Sequence, residues 1–87
     1  MAVYIEGNGR SPYNRAAVLA CARELESLLA MADATQTLDF NRCIWSVEDP
    51  LTGHIEQATF DLLVTGDLDK VADELKRRFA AQAEGEQ

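Results

Sequence analysis

This 87-residue sequence has few of the residues from which catalytic and metal centres are built. It has one histidine and two cysteines, and neither cysteine has a second Cys or a His at the spacing of a zinc site. Two cysteines are also too few for a disulfide framework, so we interpret Cys21 and Cys43 as reduced, core-type residues. His54 lies in a predicted turn, where a solvated side chain is more common than a general base. The sequence therefore predicts a protein that is not an enzyme, with no cofactor and no metal.

Long hydrophobic runs are also missing. The apolar stretches are short and interrupted, which excludes a membrane-spanning helix. The first residues lack the basic region and apolar run of a signal peptide. Hydrophobic residues nevertheless make up 47% of the chain, enough for one small core. We expect one cytoplasmic domain over residues 1–80, followed by a frayed polar tail over residues 81–87.

Positive charge is scarce. Eight Lys and Arg oppose fifteen Asp and Glu, for a formal charge of −7, and only Arg42 and Lys70 interrupt the acidic stretch from Glu24 to Glu74. Such a domain is repelled by nucleic acid and by anionic membranes, and it is attracted to basic protein surfaces. The competing interpretation is that the acidity only keeps the protein soluble.

Hydrophobic periodicity and turn residues predict an α+β domain with the order β-α-β-β-α. The expected elements are a strand over residues 1–7, a helix capped at Ser11 that runs to about Ala32, a strand over Gln36–Glu48, a hairpin turn over Asp49–Gly53, a strand over His54–Thr65, and a helix from Leu68 to about Ala80 that is capped at Asp67.

The connections between these elements suggest a sheet topology. A crossover through the first helix makes the first two strands parallel, and the hairpin makes the third strand antiparallel to the second. The third strand is the most apolar, so we expect it at the centre of a three-stranded sheet in the order 1-3-2, with both helices on one face. This arrangement resembles a ferredoxin-like unit that lacks its last strand. It leaves the first strand as an unpaired edge and one sheet face uncovered.

The length of the hairpin loop decides which side chains face the core. A five-residue loop pairs Glu48 with His54, exposes Trp45 in a candidate binding patch and turns Arg42 inward. A four-residue loop pairs Asp49 with His54 and buries Trp45, but it requires a bulge at Asn41–Arg42. Burying an unpaired arginine is costly, which favours the second register.

One segment has the composition of an anion site. Gly7–Ser11 follows a strand and precedes a helix, so free backbone N–H groups near Gly9 and Ser11, together with Arg10 and Arg15, could hold a phosphate or carboxylate. The segment lacks the third glycine of a dinucleotide-binding fingerprint and the Lys-Ser/Thr of a P-loop. A flexible connection is the competing interpretation.

Binding to another protein is the most economical function for this composition. The predicted edge strand at Tyr4 and the uncovered sheet face could each accept a partner. The predicted hairpin is also strongly acidic, and carboxylates two residues apart on a strand lie about 6.6 Å apart. The candidate partner-binding acids are Asp39, Glu48, Asp49, Glu56 and Asp61.

These features suggest an inhibitor or adaptor that occupies the nucleic-acid-binding surface of a basic partner protein. In size and charge the chain resembles small phage- or plasmid-encoded inhibitors of CRISPR and restriction systems, a likeness that covers no motif. Two alternatives remain open: a homo-oligomer that pairs through the sheet edge or face, and a small anion-binding domain that uses the Gly7–Arg15 segment.

Overall fold

The structure is a computed structural model and describes residues 2–7, 11–31 and 33–85. It confirms the α+β class, with a four-stranded mixed sheet and helices packed on one of its faces. The elements in chain order are β1 (Ala2–Glu6), α1 (Arg15–Leu29), β2 (Thr35–Asp39), β3 (Ile44–Glu48), β4 (Ile55–Thr59), α2 (Phe60–Thr65) and α3 (Leu68–Gly85).

The segment Gln36–Glu48, which we expected to form one strand, reverses direction in the middle and forms β2 and β3. The Asp39 carboxylate accepts hydrogen bonds from the backbone N–H groups of Asn41 and Arg42, at 2.9 and 3.1 Å. Cys43 then adopts the left-handed conformation, with φ of 56°. This side-chain-to-backbone capping makes a tight turn where we predicted a bulge, so the bulge prediction is wrong.

The segment His54–Thr65 is also divided. Strand β4 ends at Thr59, whose hydroxyl accepts a hydrogen bond from the Leu62 N–H at 3.3 Å and so caps α2. Phe60 and Leu63 lie three residues apart on this helix, and both are buried. The apolar run that we predicted as the end of a strand is therefore a short helix.

The strand order is β1-β2-β3-β4, with β1 parallel to β2 and the other pairs antiparallel. The predicted parallel direction of the first two strands is confirmed, and so is the position of the first strand at a sheet edge, but the two strands pair directly instead of lying on either side of a third. The predicted order 1-3-2 is wrong, and so is the ferredoxin-like arrangement. The extra reversal supplies β2 with a hairpin partner of its own, which moves the last strand to the far edge.

The hairpin between β3 and β4 has the four-residue loop. Glu48 pairs with Ile55, and the Asp49 N–H donates to the His54 carbonyl at 2.9 Å. Trp45 is consequently buried, with no exposed surface. The register with a five-residue loop, which would have exposed Trp45 as a binding patch, is wrong.

The ends of the helices differ in detail from the expectation. Asn14, rather than Ser11, caps α1, because its side-chain oxygen accepts from the N–H groups of Ala16 and Ala17 at 2.8 and 3.2 Å. Helix α1 ends at Leu29, while its expected end, Ala32, lies outside the described residues. Helix α3 continues to Gly85, beyond the expected end near residue 80.

A single core lies between the sheet and the helices. Alternate residues of β2 and β3 point into it, as the period of a strand requires. None of the helices formed by the described residues is long and apolar enough to cross a membrane. The buried apolar residues are Val18, Ala22, Leu25, Leu29, Ala34, Leu38, Phe40, Trp45, Val47, Phe60, Leu63, Ala72, Leu75 and Phe79.

Candidate functional site

One face of the sheet points away from the core. Strand register and alternation place four rows of side chains there, and none of the described helices packs over them. We call this surface the open face. Its members are Tyr4, Glu6, Thr35, Thr37, Asp39, Ile44, Ser46, Glu48, Ile55, Gln57 and Thr59.

The charge on the open face has one dominant sign. Glu6, Asp39 and Glu48 lie on three adjacent strands. The cation beside them is Arg42, whose guanidinium pairs with the Asp39 carboxylate at 2.8 Å. This hydrogen bond holds the pKa of the Asp39 carboxyl below its ordinary value. The other described cations lie on the helices and are Arg15, Arg23, Lys70, Lys76, Arg77 and Arg78.

Apolar side chains lie at both margins of the open face. Tyr4 on β1 is 57% exposed, and Ile55 on β4 is 50% exposed. Most of the side chains between them are polar, Ile44 being the exception, and there the Gln57 amide donates to the Ser46 hydroxyl at 3.2 Å. Aromatic side chains such as that of Tyr4 are enriched in protein–protein interfaces.

The structure separates the five acids that the sequence suggested as one binding surface. Asp39 and Glu48 both lie on the open face, at opposite ends of the β2–β3 pair. Asp49 is nearly buried and accepts a hydrogen bond from the Leu51 N–H at 2.9 Å, so it stabilises the hairpin turn. The other two acids lie away from the open face.

Glu56 points to the helix side of the sheet. Its carboxylate hydrogen-bonds the His54 ring and pairs with Arg78 of α3 at 3.1 Å. Arg78 also pairs with Glu74 at 3.3 Å, and the His54 ring packs edge-on against Phe79 with centroids 5.8 Å apart. These contacts attach the hairpin to α3, so His54 is not the solvated residue that we expected.

Asp61 belongs to α2 rather than to a strand. It occupies the first turn of that helix, where a carboxylate is favourable, and it accepts a hydrogen bond from the Tyr13 hydroxyl at 3.4 Å. Partial desolvation raises the pKa of the Tyr13 hydroxyl, and the nearby Asp61 carboxylate raises it further. Asp61 therefore links α2 to the segment before α1.

Trp45 lies in the core beside a polar side chain that sequence analysis missed. The buried Gln36 accepts a hydrogen bond from the indole N–H at 2.5 Å and donates to the Ala22 carbonyl of α1 at 3.2 Å. Gln36 lies two residues before the buried Leu38 in β2, so the two side chains point to the same face of the sheet. Alternation along the chain was therefore the one sequence feature that could have placed Gln36 inside.

The described side chains of the suggested anion site have partners within the chain. The Ser11 hydroxyl contacts the Cys43 sulfur at 3.5 Å. The Arg15 guanidinium donates to the Gly7 carbonyl at 3.1 Å and lies over the Phe40 ring, 4.5 Å from its centroid. Both side chains thus stabilise the junction between the turn after β2 and the start of α1.

The backbone at the start of α1 is also engaged. Two of the N–H groups that could have faced an anion, those of Ala16 and Ala17, donate to the Asn14 side chain. Gly9 and Arg10, the other residues of the suggested site, lie outside the described residues. Nothing among the described residues brings the suggested members together around a common point.

Comparison with models of protein families, with curated proteins and with solved structures finds no significant match to this chain. Within residues 2–7, 11–31 and 33–85, no cluster of three or more His, Cys, Asp or Glu is arranged to hold a metal ion. The open face is the candidate site among the described residues.

Proposed function

We propose that this chain is a non-enzymatic protein-binding domain that acts in the cytoplasm and uses the open face to occupy a basic surface of another protein. The observation that supports this function is the charge asymmetry of the sheet. Three strands present Glu6, Asp39 and Glu48 outward, and the accompanying cation, Arg42, pairs with one of them. A nucleic-acid-binding surface is a partner of matching charge, so binding there makes the domain an inhibitor or an adaptor.

The geometry of the sheet spreads this charge over an area that fits a protein partner. Asp39 and Glu48 lie at opposite ends of the paired strands β2 and β3, four residues apart in register, which corresponds to about 13 Å. Tyr4 and Ile55 flank these acids. Carboxylates steer the encounter with a basic surface, while the two apolar side chains lose exposed area on contact.

The test uses two charge reversals that change the net charge equally. Glu48→Lys places a cation on the open face, and Glu24→Lys places one at an exposed position of α1, on the other side of the molecule. Immobilised wild-type chain and both variants are used to capture proteins from the native host at low and high salt, and the captured proteins are compared by quantitative mass spectrometry. The affinity of any captured protein is then measured with each variant.

We expect Glu48→Lys to weaken binding by about tenfold or more at low salt, because a like charge then faces the basic partner. Glu24→Lys should change binding much less, and binding of the wild-type chain should weaken as salt increases. Equal loss in both variants would mean that only net charge matters, which would contradict a role for the open face. Captured proteins that are acidic, or binding that is insensitive to salt, would also contradict the proposal.

A further inference from the structure

Strand β1 is an edge strand with few of the features that normally prevent edge association, since its one charged residue is Glu6 at its end. Among the described strands it pairs with β2 alone, and its sequence, Ala2–Glu6, contains no lysine, arginine or proline. Tyr4 is 57% exposed and Ile5 is 48% exposed, so both faces of this edge present apolar surface. Natural edge strands are usually protected by charge, proline or a covering segment.

The hydrogen bonds already made by β1 determine which backbone groups remain at the free edge. The Glu6 carbonyl accepts from the Phe40 N–H at 2.9 Å, so the peptide groups of Glu6 point toward β2. Because the direction alternates along a strand, Tyr4 also points toward β2, while Val3 and Ile5 direct their N–H and C=O groups outward.

We propose that the free edge of β1 binds the same strand of a second copy of this chain, antiparallel and about a two-fold axis at Tyr4. In this register Val3 lies opposite Ile5 of the other copy, so the outward backbone groups exchange hydrogen bonds. Tyr4 lies opposite its own counterpart in a non-hydrogen-bonded pair, where side chains approach most closely. Glu6 lies opposite Ala2, so the carboxylates of the two copies do not face each other.

The neighbouring surface of α1 favours a second copy as the occupant. A groove beside the edge is lined by Val3, Arg23, Glu26, Ser27, Ala30 and Met31, and therefore carries both a cation and an anion. A two-fold axis presents the same surface on both sides of the interface, so a surface with both signs can complement itself. The open face carries an acidic excess and would repel a second copy, which is why we place the contact at the edge.

The first test measures self-association of two lysine variants by sedimentation equilibrium from micromolar to millimolar concentration. Ile5→Lys introduces a charge at the proposed interface, whereas Ile55→Lys alters an equally exposed isoleucine, 50% against 48%, on the opposite edge strand. We expect the wild type and Ile55→Lys to dimerise and Ile5→Lys to remain monomeric at matched thermal stability. A monomeric wild type, or dimerisation of Ile5→Lys equal to that of the wild type, would overturn the proposal.

The second test examines the register. Tyr4→Cys places two cysteines opposite each other across the two-fold axis, within the Cα separation that a disulfide requires. Glu6→Cys is the control, because position 6 lies opposite position 2 of the other copy. Under mild oxidation we expect the Tyr4→Cys chain to form a dimer whose disulfide maps to position 4, despite the native Cys21 and Cys43. Equal cross-linking of Glu6→Cys, or none in either variant, would contradict this register.

This inference shares Tyr4 with the proposed partner-binding surface but does not require that function, and the two can fail separately. Glu48→Lys tests the open face and lies two strands away from β1. Salt should also affect partner binding and self-association in opposite directions. It screens attraction to a basic partner, but it also screens repulsion between two copies that each carry −7. We therefore expect self-association of the wild type to strengthen as salt increases.

Discussion

Gln36 is the residue whose environment departs most from its usual surface role. Its amide lies in the core between Trp45 of β3 and the Ala22 carbonyl of α1, so it joins the sheet to the first helix by directed hydrogen bonds. A buried indole N–H requires an acceptor, and the Gln36 side chain supplies one.

Replacing this amide tests how much the arrangement contributes to stability. Gln36→Leu keeps the approximate volume but leaves the Trp45 N–H without its acceptor, and we expect the free energy of unfolding to fall by about 1–3 kcal/mol. Urea denaturation of Gln36→Leu, Trp45→Phe and the double variant gives the coupling between the two residues. The double variant should lose less free energy of unfolding than the sum of the two single losses. Strict additivity would mean that the hydrogen bond between Gln36 and Trp45 does not contribute to stability.

Asp39 provides a test of how the stability of the fold decreases at acidic pH. Arg42 lowers the pKa of the Asp39 carboxyl in the folded state. The ionised carboxylate therefore stabilises the native state at pH values above the ordinary carboxyl pKa. This stabilisation disappears as the pH falls through the folded-state pKa. We expect Asp39→Asn to lower the melting temperature at neutral pH, and the difference from the wild type to begin to shrink below about pH 4 and to vanish below the folded-state pKa. In an Arg42→Gln background the difference at neutral pH should shrink. If the difference in melting temperature between the wild type and Asp39→Asn does not change with pH, the ionised Asp39 carboxylate is not the source of this stability.

At the scale of secondary-structure elements, the sequence predicted those that carry conventional start and stop residues. The hairpin with Pro50 and Gly53 and the helix capped at Asp67 have such residues, and the structure contains both. Helix α1 is also present, but its cap is Asn14 rather than the expected Ser11. The turn after β2 has neither glycine nor proline. Its left-handed residue is Cys43, for which no local pattern distinguishes a reversal from a continuing strand.

Helix α2 was missed for a different reason. A short apolar run is compatible with a buried strand or with a buried helix, and periodicity does not separate the two over six residues. The burial of Phe60 against Phe40, with ring centroids 4.8 Å apart, is a tertiary contact, whereas the cap at Thr59 is a local hydrogen bond to the Leu62 N–H. The open face could be anticipated only as an uncovered side of the sheet. The residues that belong to it depend on the chain reversal between β2 and β3 and on the end of β4 at Thr59.

The junction between α2 and α3 gives a prediction at this scale. A Cβ at Gly66 would lie 2.3 Å from the Leu62 carbonyl oxygen, which the Gly66 N–H also binds at 2.8 Å. A Cβ at Gly53 would have nothing within 4 Å, although φ there is 73°. We expect Gly66→Ala to cost about 1–3 kcal/mol through steric displacement, and Gly53→Ala to cost about 1 kcal/mol through backbone strain.

Asparagine at the same positions distinguishes these causes. Asn tolerates the left-handed conformation, so Gly53→Asn should recover most of the loss, whereas Gly66→Asn should be at least as destabilised as Gly66→Ala. Thermal and urea denaturation of the four variants provide the comparison. Recovery at position 66 would show that space is not the limiting factor there.

At the scale of the whole molecule, charge is divided between two layers. The sheet presents carboxylates outward, while nearly all the described basic side chains lie on the helices, where α3 carries mixed charge along its length. The acidic composition gave the expectation of a basic partner, but it did not show where the acids lie. Glu56, for example, is half-buried in contacts with Arg78 and His54.

The position of Trp45 has a spectroscopic consequence. It is the only tryptophan in the chain, and it lies fully buried on β3, one of the two interior strands. Its fluorescence emission therefore arises from one apolar environment and should be blue-shifted in the native state. Unfolding transfers the indole to water and shifts the emission to the red. Association at β1 or at the open face leaves the indole buried, so the same fluorophore reports integrity of the fold separately from binding.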